Sequence, residues 1–63
     1  MSAQILDPPA AAAYLQVPLR TLDKWRYLRR GPTYCRVGRH IRYRLADLDA
    51  WLETQAVSPR GVA

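Results

Sequence analysis

Between Arg20 and Arg44 the chain carries nine of its ten cationic side chains and a single acid, Asp23. Side chains of this kind break no bonds on their own; they hold anions. All the cations except Lys24 are Arg, whose planar fork grips a phosphate or a guanine edge with two parallel hydrogen bonds. The segment has a net charge of +8 in a chain of +5, so the residues flanking it are acidic on balance. Charge focused in this way on a small domain is the electrostatic footprint of a nucleic-acid binder.

Other chemistries lack their residues. Cys35 and His40 are the only Cys and His, too few for a zinc site, and a lone Cys excludes an internal disulfide and fits a reducing compartment. Asp47, Asp49 and Glu53 are spaced as surface acids of a helix, not as a catalytic or metal-binding set. No metal, no cofactor and no enzymatic activity are expected. Sixty-three residues allow one small domain burying about 60% of its unfolded surface, with little room for a substrate pocket. No run approaches the roughly 18 apolar residues of a membrane span, and the N-terminus lacks a signal-peptide pattern. A cytoplasmic protein with no membrane association is expected.

The elements that must position these cations follow from the remaining residues. Asp7 is a good N-cap with Pro8 at the first helical position and four Ala behind it, so a first helix is expected over residues 8–15. Gln16-Val17-Pro18 breaks it, giving a tight turn into a second helix. At 100° per residue, Leu22, Trp25 and Leu28 share the packing face of that helix, while Arg20, Asp23, Lys24 and Tyr27 lie opposite. Tyr27 suits either a sugar-phosphate contact or partial burial. Arg30-Gly31-Pro32 ends the helix, with Gly31 able to take positive φ.

Residues 34–37 and 41–44 alternate in period two about Gly38-Arg39-His40, which points to a two-stranded hairpin. A three-residue loop pairs Val37 with Ile41, placing Cys35, Val37, Ile41 and Tyr43 on one face and Arg36, Arg42 and Arg44 on the other; a two-residue loop would mix Arg36 with Ile41. Tyr34 is ambiguous between packing and exposure. From Leu45 the helical period returns, with Leu45, Leu48, Trp51 and Leu52 on one stripe. With nine residues of Ala in the apolar total, the core is expected from Leu6, Leu15, Val17, Leu22, Trp25, Leu28, Val37, Ile41, Leu48, Trp51 and Leu52. Both Trp belong to packing stripes and not to a base-stacking platform. A domain over residues 1–54 and a flexible tail over 55–63 complete the layout.

Helix, tight turn, helix, hairpin and closing helix make a mostly α fold with a small β-hairpin, a winged helix-turn-helix. In that docking the second helix enters the major groove of double-stranded DNA and the hairpin follows the backbone or enters a minor groove. Arg39 and His40 at the hairpin tip suit a narrow minor groove.

The chain also resembles a known family in Leu6-Asp7-Pro8, Ala12-Ala13-Tyr14-Leu15, Thr21-Leu22-Asp23-Lys24-Trp25, Gly31-Pro32-Thr33-Tyr34, Val37-Gly38-Arg39, Arg42-Tyr43-Arg44 and Asp47-Leu48-Asp49-Ala50-Trp51-Leu52. It is similar to excisionase-type, MerR-like winged helix-turn-helix domains, departing from them with Pro18 in place of the usual capping Ser and with Pro9-Ala10 in place of first-turn acids. The resemblance implies a phage or prophage excisionase, or recombination directionality factor. Such a protein binds and bends attachment-site DNA beside copies of itself and steers an integrase or other recombinase in the nucleoid of a bacterial host. The residues expected to contact DNA are Arg20, Thr21, Asp23, Lys24 and Tyr27 of the second helix and Arg36, Arg39, His40, Arg42 and Arg44 of the wing. A small MerR-like transcriptional regulator is the alternative, although no coiled-coil stretch follows the third helix. An RNA-binding or protein-binding module would leave the second helix without a groove, since the A-form major groove is too narrow.

Overall fold

The computed structural model describes residues 4–59. The Asp7 carboxylate accepts a hydrogen bond from the Ala10 amide at 2.9 Å and Pro8 follows it, so helix α1 starts where the sequence places it and spans Pro8–Leu15. Ala11 and Ala12 are fully buried. Their small side chains let α1 pack against the second helix, the third helix and the sheet at once, which is why two residues left out of the expected core stand at its centre.

The turn after α1 is built from backbone. Gln16 takes the left-handed conformation at φ 60°, and the amides of Gln16 and Val17 donate to the carbonyls of Ala13 and Ala12 at 3.1 and 3.0 Å. This is a Schellman closure with Gln in the position glycine usually fills. Pro18, extended and with no side-chain cap, then leads into α2, Leu19–Tyr27. Helix α2 ends the same way: Arg29 sits at φ 61°, its amide donating to Arg26, while the Arg30 amide donates to Trp25 at 2.8 Å. The left-handed residue that closes α2 is therefore Arg29 and not Gly31. Gly31 is required for another reason: a Cβ there would lie 3.1 Å from the Cβ of Trp25, at φ +88°.

Three strands form an antiparallel sheet in the order β1-β3-β2, where β1 is Ile5–Leu6, β2 is Cys35–Val37 and β3 is His40–Arg44. The segment before α1 thus adds a third strand to the expected two. The hairpin register differs from the expected one: Cys35 faces Arg42, Arg36 faces Ile41 and Val37 faces His40, around a two-residue loop of Gly38-Arg39. The binary pattern favours the three-residue loop, and the turn overrides it by pairing Arg36 with Ile41. Gly38 is at φ 66° while Arg39 is not left-handed, the pattern of a type II′ turn whose twist matches its strands.

Helix α3, Leu45–Gln55, follows β3 directly and closes the core. That core is Ala11, Ala12, Leu22, Tyr43 and Leu48, ringed by Leu6, Leu15, Val17, Trp25, Tyr34 and Ile41. Trp25 and Trp51 pack with ring centroids 5.2 Å apart. Leu28, Val37 and Leu52, expected inside, are exposed: Leu28 lies past the last turn of α2, Val37 is turned outward by the hairpin register, and Leu52 lies at the edge of its stripe. Of the expected tail, Gln55 belongs to α3 and residues 60–63 lie outside the described residues. The Tyr14 hydroxyl donates to Asp49, tying α1 to α3.

Two outcomes follow from the turn and from this tie. Gln16→Gly should raise stability by about 1 kcal/mol, because Gly occupies the left-handed region without the Cβ penalty; the urea midpoint reads it. The bond to Asp49 raises the Tyr14 pKa above its ordinary 10.0. A folded-state value above the unfolded one gives stability that is full below pH 10 and lost as pH rises through the folded value. The stability difference between wild type and Tyr14→Phe should therefore shrink as pH climbs past 10.0, whereas a constant difference would contradict the assignment.

Candidate nucleic-acid interface

On α2 the exposed residues are Leu19, Arg20, Lys24 and Tyr27, the last three spaced i, i+4 and i+7 and so within roughly a 60° arc. Tyr27 is 85% exposed, which removes partial burial as an option. Thr21 and Asp23 flank this stripe and are half-buried, and Leu22, Trp25 and Arg26 turn inward. The helix therefore presents a narrow cationic ridge with an aromatic at one end.

The wing tip, Gly38 and Arg39, is exposed together with His40. The observed register divides the hairpin differently from expectation. Cys35, Val37, His40, Arg42 and Arg44 share the outer face with Ile5, while Arg36 stands on the opposite face beside Ile41. Arg36, Arg42 and Arg44 do not form one basic face. Tyr34 is half-buried against Tyr43, ring centroids 6.1 Å apart, so it packs.

The cations divide into anchored and free. Arg26 Nη1 donates to the Asp23 carboxylate at 3.0 Å and lies 3.3 Å from the hydroxyl of Tyr43, and its guanidinium stands 5.9 Å from the ring centre of Tyr34. These contacts hold its pKa above the ordinary guanidinium value, the Tyr43 hydroxyl contributing most and burial opposing it. Arg44 Nε donates to Asp47 at 2.9 Å, which likewise raises its pKa. Arg42 Nη1 donates to the carbonyl of Ile41 at 2.7 Å. Among the described residues, Arg20, Lys24, Arg29, Arg30, Arg36 and Arg39 make no side-chain hydrogen bond or ion pair. Six unneutralised cations on so small a surface maintain a positive field available to an incoming polyanion.

Sequence reasoning assigned no role to Arg26, Arg29 or Arg30. The signal for Arg26 was present, an acid three residues earlier on one helix. Arg29 and Arg30 carried none beyond their charge, because their placement comes from the Schellman closure. Among the described residues no group of His, Cys, Asp and Glu is arranged to hold a metal ion, and no helix is long and apolar enough to cross a membrane.

Arg26→Ala should destabilise the fold by about 1–3 kcal/mol, since it strands the hydroxyl of the buried Tyr43. Adding Tyr43→Phe to that variant should cost less than the same change in wild type. Strict additivity of the two in urea unfolding would show that they are not coupled.

A search of curated proteins finds no match to the chain. A family model described as a helix-turn-helix domain matches residues 5–56, from β1 to the residue after α3. The match spans the turn at Gln16, the exposed ridge of α2 and the whole wing, and the chain belongs to the helix-turn-helix domain family, a family of DNA-binding domains.

Proposed function

We propose that this protein is an excisionase-type architectural factor that binds attachment-site DNA in a sequence-specific manner, bends it and directs an integrase toward excision without itself catalysing strand exchange. The observation that carries the reading is a pair of exposed features whose cations have no ion pair among the described residues: Arg20 and Lys24 on α2, and Arg39 beside His40 at the wing tip. In this reading α2 lies in the major groove, where Arg20 reads a guanine edge, Lys24 and Tyr27 lie on the backbone, and Thr21 and Asp23 border the contact. Arg39 and His40 enter the adjacent minor groove, whose narrowing strengthens its attraction for cations. Arg36, Arg42 and Arg44 supply phosphate contacts from the two faces and the base of the wing.

Domain membership supports DNA as the partner. Excision, and the phage or prophage setting in a bacterial nucleoid, rest on the resemblance in sequence, as do the integrase partner and neighbouring copies on DNA. A MerR-like regulator would use the same helix and wing, and the arrangement of binding sites separates the two.

Selection of the purified protein on a random duplex pool at about 150 mM salt, where weak electrostatic binding is suppressed, tests the proposal. Direct repeats about one helical turn apart, with bent DNA, are the expected result. An inverted repeat would assign a regulator instead, and absence of enrichment would overturn specific DNA binding. On the selected site, Arg20→Ala should cost about 1–3 kcal/mol and relax discrimination, while Arg39→Ala should weaken all duplexes more evenly and lower the salt slope by about one. Equal effects of both changes on selected and random DNA would refute the division of roles.

A further inference from the structure

Between the C-terminal end of α2 and the approach to β2 lies an open crevice of about 410 Å³, lined by Arg26, Arg29, Arg30, Thr33 and Tyr34 among others. We propose that this crevice is a phosphate seat, and that its occupant is the strand of DNA backbone running between the groove filled by α2 and the groove entered by the wing.

Three arginines line one concavity, and the only carboxylate bonded to any of them among the described residues is Asp23, on Arg26. Arg29 and Arg30 have no side-chain partner there, and Arg26 spends only Nη1 on Asp23 and Tyr43, leaving its other donors unbonded. Like charges brought together without an intervening anion repel, and an oxyanion relieves this while accepting the planar donor forks. Thr33, another lining residue, carries a hydroxyl able to donate.

The backbone points the same way. Arg29 holds the left-handed conformation at φ 61°, which glycine adopts with less strain, and strain at a non-glycine position is a reason to look for function. Arg26 is fixed by Asp23, Tyr43 and Tyr34, so one wall of the crevice is rigid before any ligand arrives. Position identifies the source of the phosphate. The crevice lies in the connection from α2 to the wing, and a duplex presents one run of phosphates between a major groove and the neighbouring minor groove. A domain that occupies both grooves straddles that run at this connection.

The inference rests on the proposed DNA docking, and its test separates the two. Arg29→Gly removes a guanidinium while keeping the left-handed backbone, and Arg30→Gln is its exposed companion. Each binds the duplex recovered by selection, in a series in which one phosphate at a time is replaced by a neutral methylphosphonate. One position between the two groove contacts should weaken wild type about tenfold, the size of a charge-assisted hydrogen bond, and should leave a variant's affinity unchanged. The salt slope of each variant should fall by about 0.9 per contact removed. Additive losses at every phosphate, with unchanged melting temperatures, would overturn the seat while leaving DNA binding intact. Failure of wild type to bind any duplex would overturn both readings. Saturation of the Arg29 and Arg30 resonances by millimolar inorganic phosphate, with no effect of either variant on DNA, would assign the crevice to a free anion and refute the backbone occupant.

Discussion

A single guanidinium joins the two halves of this protein. Arg26 projects from the inner side of α2, binds Asp23 one turn earlier, reaches the hydroxyl of the buried Tyr43 on β3 and faces the ring of Tyr34 at the entrance to the wing. With a core cluster of five buried side chains among the described residues, the core is too small to fix the angle between helix and sheet by packing alone. A charged group with directional bonds to both elements supplies that constraint. It also explains why Asp23, the one acid of the basic segment, sits at the border of the exposed ridge: its carboxylate holds the anchor and keeps Arg26 from joining the free cations.

The remaining stability comes from small residues and backbone caps. Ala11 and Ala12 permit close approach of three elements, and two Schellman closures end α1 and α2 with Gln16 and Arg29 in left-handed geometry. Tyr14 and Asp49 connect the first and last helices at the surface. Each device is local, and the turns that cost the most conformational strain are the ones that set the ridge and the crevice.

Element boundaries were legible because Asp7, Pro8, Pro18, Gly31 and Pro32 impose or forbid backbone conformations regardless of tertiary context. The exposed ridge of Arg20, Lys24 and Tyr27 was legible for a similar reason, helical spacing. The hairpin register was not, because sorting apolar from basic residues favours a three-residue loop, whereas the turn at Gly38 closes the hairpin in two and sets Arg36 beside Ile41. Val37 consequently lies outside and Arg36 changes face. The third strand was invisible because Ile5 and Leu6 are too few to produce a period. The partition of cations into anchored and free depends on distances across the fold, so the candidate site could be named by type but not sorted by role.

The central claim is that α2 and the wing engage adjacent major and minor grooves on one face of a duplex. Methylation interference on the selected site tests it most directly, since guanine is modified at N7 in the major groove and adenine at N3 in the minor groove. The account predicts a cluster of N7 interference flanked, about half a helical turn or ~5 base pairs away, by N3 interference on the same face. Interference confined to the minor groove, or spread evenly around the duplex, would contradict it.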